Sequence, residues 1–184
     1  MTTVFVAGSI AIKKLHPLFR GRLENIVQSQ FDIVLGDADG ADSSIQQALF
    51  DLGAENITVY CSGFKPRNNV GRWPVQNITS DAEHGSREFF TAKDIKMAAV
   101  ADYGLMVWDT KSTGTLSNVL ELLRLGRKSV VFINKDKNFI NVCSARDLDG
   151  LMDLMSDTAR YKAEDKIKLS KKIGALKSPQ LDLA

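Results

Sequence analysis

Cysteine, histidine, charge of one sign and long apolar runs are all scarce in this chain. Its 184 residues include two cysteines, Cys61 and Cys143, with no Cys-x-x-Cys spacing, which argues against a disulfide framework or a zinc site and fits a reducing cytosol. Both read as small buried apolar residues. The two histidines, His16 and His84, have no metal-like partners in sequence and read as surface residues rather than ligands or bases. No metal and no cofactor is expected. No apolar run approaches the length that spans a bilayer, and Met1 to Val6 is strand-like with no basic region ahead of it. No membrane partner is therefore expected, and the cytoplasm is the expected location. The 24 lysines and arginines nearly balance the 22 aspartates and glutamates, leaving a formal charge of +2. Such balance implies neither a nucleic-acid stripe nor a membrane-surface patch. Nucleic acid is not an expected partner, whereas a small charged ligand is compatible with the composition.

The length suits one domain with a core large enough to fold unaided, and the apolar and charged fractions are ordinary for a globular protein. The chain is organised around Gly36-Asp37-Ala38-Asp39-Gly40-Ala41-Asp42, which follows a strand-like run, Phe31 to Leu35, and precedes a helix-like one, Ser43 to Leu49. Two glycines in a strand-to-helix turn permit positive φ and leave no Cβ to block a ligand, and the helix start offers unpaired amides. The three carboxylates would repel a phosphate unless they point to a ribose, a base or their own backbone. Asp42 is placed to cap the helix. On its own, such a turn is equally well read as plain chain reversal.

Val4 to Ala7 reads as a first strand leaving into Gly8-Ser9-Ile10. Pro17 opens a helix with Leu18, Phe19, Leu23, Ile26 and Val27 at helical spacing. The second helix places Ile45, Ala48, Leu49 and Leu52 on one face and stops at Gly53, and Ile57 to Cys61 is the third strand. From Ser62 to Gly85 the pattern dissolves into a long loop carrying Lys65, Arg67, Arg72 and Trp73, which reads as a lid over a phosphorylated, base-containing ligand. Ser86 caps a helix carrying Phe89, Phe90, Met97, Ala98 and Val100. The run Tyr103 to Trp108 is a central parallel strand ending at Asp109. Ser112, Thr113, Gly114 and Thr115 form a second glycine-containing turn, a helix closes at Gly126, and Ser129 to Ile133 is the fifth strand. Ser144 with Asp147 resembles a capping box, and a basic amphipathic tail runs from Arg160 to Lys177, its lysine face read first as solvated surface.

Five apolar runs alternating with helices predict a Rossmann-like α/β fold: an open, parallel, five-stranded sheet with helices on both faces. The domain is expected over residues 1–143, with a C-terminal helical extension over 144–184 packed on it or trailing it. In such sheets ligands sit beyond the carboxyl ends of the strands. The three turns after the first, second and fourth strands all belong at that edge.

With these residues in view, the chain resembles the SLOG superfamily, whose members share a Rossmann-like sheet and bind nucleotides or nucleotide-derived ligands. The resemblance covers approximately Thr3 to Asn134. It rests on Gly8-Ser9, on Gly36 to Asp42 as a Gly-x-x-x-Gly-Ala-Asp turn, and on Ser112 to Thr115 as a Gly-Thr turn. Where relatives carry an Arg-Asn or Arg-Lys pair, this chain has Lys93-Asp94. A more distant similarity is to nucleoside deoxyribosyltransferases and deoxynucleoside monophosphate N-glycosidases, through Gly8-Ser9-Ile10 and Asp94. Those enzymes and the phosphoribohydrolases place a glutamate three residues after the threonine of the Gly-Thr turn, and here that position is Asn118. An amide cannot do a carboxylate's work at an anomeric carbon. Glu121, one helical turn on, reads as a helix-surface residue before it reads as a catalyst.

The resemblance implies a sensor or binding protein that holds a nucleotide-type small molecule. Its contacts would come from Gly8, Ser9, Ile10, Gly36, Asp37, Asp39, Gly40, Asp42, Arg67, Arg72, Lys93, Ser112, Gly114 and Thr115. The alternative is an enzyme cleaving the N-glycosidic bond of a nucleoside monophosphate, with Asp94, Asn118 and Glu121 as catalytic candidates and Asp37 or Asp39 as further acids or bases. A third reading is a scaffold whose turns are only turns. A homodimer is compatible with the sequence.

Overall fold

A computed structural model describes residues 1–178. Its seven strands are β1 (Thr3–Gly8), β2 (Asp32–Gly36), β3 (Ile57–Ser62), β4 (Val75–Ile78), β5 (Tyr103–Trp108), β6 (Lys128–Ile133) and β7 (Asn138–Val142). They form one sheet in the order β4-β3-β2-β1-β5-β6-β7. All neighbours are parallel except β6 and β7. The helices are α1 (Pro17–Gln28), α2 (Ala41–Asp51), α3 (Arg87–Val100), α4 (Thr113–Arg124), α5 (Leu148–Asp153), α6 (Asp157–Ile167) and α7 (Leu169–Lys177). The order reverses at β1, which has β2 on one side and β5 on the other, so the crevice of an open α/β sheet falls at the ends of β1 and β5.

The five strands expected from apolar runs are β1, β2, β3, β5 and β6. The two additional strands lie at the edges and lack that signal. In β4 three of four residues are exposed, and it forms inside the stretch expected to be loop, pairing with β3 from Val59↔Val75 to Ser62↔Ile78. In β7 a mostly half-exposed five-residue segment returns antiparallel on β6 through a tight charged turn in which Lys137 takes φ 55°.

Alternation along the strands divides the core. Val4 and Val6 of β1 and Leu105 and Val107 of β5 pack with Phe19 and Leu23 of α1 and Ile45 and Leu49 of α2. Phe5, Ala7, Met106 and Trp108 face the other way, toward Met97 of α3 and Leu116 and Val119 of α4. Burying each large apolar side chain contributes about 1.5–3 kcal/mol, so both layers are needed to hold the sheet. Leu148, Leu151, Met155, Ala163, Ile167 and Leu169 belong to the second cluster, so the C-terminal helices share a core with α3 and α4.

Several local signals are realised as read. Pro17 occupies the first turn of α1, Ser86 accepts from the Phe89 amide at 3.1 Å, and Gly53 and Gly126 end α2 and α4 at φ 66° and 70°. Ser144 and Asp147 form the capping box. No described helix is long and apolar enough to cross a membrane.

Candidate functional site

The loop leaving β1 meets the first turn of α4 through hydroxyl groups. Ser9, fully buried, donates from Oγ to Asp109 Oδ1 at 3.0 Å, and its Oγ lies 3.3 Å from Thr115 Oγ1. The Asp109 amide returns a hydrogen bond to Ser9 Oγ at 3.1 Å. Asp109 Oδ1 also accepts from the Lys111 and Ser112 amides at 2.9 and 2.7 Å, which curls the chain after β5 into α4. Ser112 then caps α4, its Oγ accepting from the Thr115 amide at 3.4 Å and the Thr115 hydroxyl at 3.2 Å. The amides of Thr113 and Gly114, the first two residues of α4, have no intrahelical partner by the geometry of a helix start.

The turn after β2 locks onto the same edge. Gly40 sits at φ 78°, and a Cβ built on it would lie 1.9 Å from the Ile10 carbonyl oxygen, so its glycine is required by the β1 loop passing over it. Gly8 and Gly36 are likewise filled by protein: a Cβ on Gly8 would meet Val107 and Ala41, and one on Gly36 would meet Asp42 Oδ2 and Lys93 Nζ. The three glycines permit close packing of the turns on one another. Ile10 itself is exposed on the outer side of that contact.

Asp42 is not the helix cap. Gly40 takes that position, its carbonyl accepting from the Ser44 amide at 3.1 Å, and Asp42 is the second helical residue, bonded at 3.3 Å to the Ala38 amide across the turn. Burial pushes the Asp42 carboxyl up to about 6, against the lowering effect of Lys93 nearby. Lys93, 4 % exposed, donates to Asp94 Oδ1 at 2.8 Å. Burial alone would lower its pKa, but the charges of Asp94 and Asp42 outweigh burial and hold the ammonium above its ordinary value.

Asp37 is also buried, and burial raises its pKa, yet the hydrogen bonds from Arg67 and the charges of Lys93 and Arg67 bring it below the ordinary value. The Arg67 guanidinium grips it in a fork at 2.8 and 3.2 Å, and the Arg67 amide adds a third bond at 3.0 Å. Asn68 reaches the Asp37 carbonyl and the exposed Asp39 carboxylate, both at 2.9 Å. Buried Gln46 of α2 bonds Gly36, Asn68 and Val70. The long loop is thus latched to the β2 turn by its own side chains, and Arg67 also lies over the Phe90 ring at 4.9 Å.

Trp73 corrects the reading of that loop as an aromatic lid. It is 9 % exposed, packs in the core with α1 and α2, and donates from Nε1 to the Ala54 carbonyl at 3.0 Å. A tight turn at Gly71 and Arg72, where Arg72 takes φ 54°, tucks the ring inward, and Asn69 pins it with bonds to the Trp73 amide and carbonyl. Arg72 stays exposed on the turn and makes no ion pair among the described residues.

Asp94, Asn118 and Glu121 line one cleft of about 260 Å³ between α3, α4 and the junction of α6 with α7. Asn118 follows Gly114 by four residues, about 6 Å along α4, so the cleft adjoins the helix start. Glu121 is engaged by Arg124 at 2.9 and 2.7 Å, and those bonds, ahead of the opposing effect of burial, hold its carboxyl below the ordinary value. Among the described residues no group of three or more His, Cys, Asp or Glu is placed to hold a metal ion.

The sequence reading missed Asp109, Gln46 and Asn68, which organise the turns. An Asp ending a strand was the only signal among them. It also missed Arg87, Thr91, Ser117, Lys166, Lys168 and Lys172, the remaining polar lining of the cleft.

No family model matches the chain, and no curated protein matches it. Among solved structures it is similar to the X-ray structure of DNA processing protein A (DprA) from Streptococcus pneumoniae, with a TM-score of 0.54 and 18 % identity. The fold is Rossmann-like. The match covers 90 % of this chain but 56 % of that one, so the chain spans just over half of DprA's length.

Proposed function

We propose that the protein binds a nucleotide or nucleotide-derived phosphorylated ligand where the turns after β1, β2 and β5 meet, in the manner of SLOG proteins. The observation that carries this is the Ser9, Asp109, Ser112 and Thr115 network at the switch point, which fixes the start of α4. The Thr113 and Gly114 amides and the helix dipole make that start an anion site, with exposed Lys111 beside it. Exposed Ile10 supplies an apolar surface for a base, and Asp39 a hydroxyl acceptor for a ribose. Ser9 and Thr115 act by shaping the turn, since their hydroxyls are already engaged.

A second reading is favoured by the gathering of Asp94 and Asn118 in one cleft beside that helix start: cleavage of an N-glycosidic bond, with water as acceptor. Asp94 would be its acid or base. Glu121 is unsuited, because Arg124 occupies its carboxylate. Nucleic acid is a further candidate ligand rather than an excluded one, because the similar solved structure is named a DNA processing protein. Calorimetric titration with nucleoside monophosphates, with parallel assay for free base and sugar phosphate, separates the readings. Binding without turnover supports the first, turnover abolished by Asp94→Asn supports the second, and no binding at all contradicts both.

A further inference from the structure

The cleft beside α4 has a charge balance that the turns do not explain. Six ionisable side chains line it: Arg87, Asp94, Glu121, Lys166, Lys168 and Lys172. Both carboxylates are matched from outside the lining, Asp94 by buried Lys93 at 2.8 Å and Glu121 by Arg124 at 2.7 Å. Among the described residues none of the four cations makes an ion pair. The cleft therefore carries an excess of positive charge around a concave wall, only partly offset by Glu121 acting on Lys172 and Glu164 on Lys168.

Three of those cations come from the junction of α6 and α7, whose backbone is firmly held. Ile167 and Leu169 on either side of Lys168 are buried in the core. Lys168 between them adopts the left-handed conformation, φ 53° and ψ 53°, an uncommon one for a non-glycine residue. Glu164 locks the bend by accepting from the Ser170 amide and hydroxyl, both at 2.8 Å. The elbow thus directs Lys166 and Lys168 to one side while its apolar neighbours anchor it, and Lys172 follows Lys168 by one turn of α7.

We propose that this elbow is the anion-binding wall of a second site, which takes a sugar phosphate monoester, free or as part of a mononucleotide. The lysines and Arg87 supply charge for a phosphate. Thr91, Ser117 and Asn118 supply hydroxyl and amide partners for sugar hydroxyls. At about 260 Å³ the cleft is somewhat smaller than the roughly 300–1,000 Å³ of drug-sized ligand pockets, which suits a phosphorylated pentose better than a dinucleotide. The cleft is the one that holds Asp94 and Asn118, so the proposal adds to the N-glycosidic reading the wall that takes the phosphate; it does not rest on anion binding at the start of α4.

The test is titration of the full chain with ribose 5-phosphate, a nucleoside 5′-monophosphate and a short single-stranded oligonucleotide, by calorimetry. The variant Lys166→Gln, Lys168→Asn, Lys172→Gln removes the charges while keeping a residue that tolerates the left-handed bend. Saturable binding of either monoester, weakened about tenfold or more in the variant, is the expected result; any binding that survives in the variant belongs to the start of α4, and the preferred monoester identifies the source of the phosphate. If the triple variant melts early, Lys172→Gln alone carries the comparison. Absence of saturable monoester binding, equal binding by the variant, or lysine-dependent binding of the oligonucleotide alone overturns the proposal.

Discussion

The hydroxyls of Ser9 and Thr115, 106 positions apart in sequence, lie 3.3 Å from each other at the ends of β1 and the start of α4. Ser9 is the hub of that contact, since it also exchanges hydrogen bonds with both the amide and the carboxylate of Asp109. Ser9→Ala should destabilise the fold by about 1–3 kcal/mol, because buried partners lose their bonds without gaining water. Urea unfolding measures this, and an unchanged midpoint would remove the network from the account.

Gly40 and Gly114 should respond oppositely to alanine. At Gly40 a methyl group meets the Ile10 carbonyl and the backbone is left-handed, whereas at Gly114 the nearest atom is Ser112 Oγ at 3.9 Å. Gly40→Ala should cost about 1–3 kcal/mol or more. Gly114→Ala, in a helix, should be neutral or stabilising by up to about 1 kcal/mol. Equal effects at the two positions would mean that the turns do not pack as described.

Asp42 and Asp37 should show pH dependences of opposite sign. Asp42 is raised from 3.8 to about 6, so its contribution to stability is full below about pH 4 and lost as pH rises through about 6. Asp37 is lowered, so its contribution is present above its unfolded value of 3.8 and lost as pH falls through its folded one. Relative to the natural protein, Asp42→Asn should therefore gain stability as pH rises from 4.5 to 7.5, whereas the loss of stability in Asp37→Asn should be constant over that range and shrink only as pH falls below about 4. Denaturant midpoints at pH 3, 4.5 and 7.5 decide, and the same trend in both variants would contradict the electrostatic assignment.

Arg67 should hold its loop without ligand. Because the fork to Asp37 and the stacking on Phe90 are intramolecular, Arg67→Ala should speed tryptic cleavage after Arg72. If the natural protein is cleaved there as fast as the variant, the latch does not operate.

The parts legible in the sequence are those written in local pattern. Apolar runs identified β1, β2, β3, β5 and β6, and Pro17, Gly53 and Gly126 marked helix ends, because each acts through its own backbone. The meeting of the turns was legible from topology, since exits from parallel strands share an edge. The edge strands β4 and β7 bury too little to show a pattern. Trp73 among arginines resembled a ligand-facing aromatic, and only the fold reveals that Gly71 and Arg72 turn it inward. Gly40 displaced Asp42 as cap because the approach of Ile10, distant in sequence, demands a glycine there. The lysines of the α6–α7 elbow reach the cleft only through burial of Ile167 and Leu169, which no local spacing announces.

The most direct test of binding at the start of α4 is a titration of isotopically labelled protein with a nucleoside monophosphate, followed by amide NMR. The account predicts saturable shifts at Thr113 and Gly114, with smaller ones at Ser9 and Ile10. Saturable shifts confined to other parts of the chain, with those four amides unmoved, would contradict it.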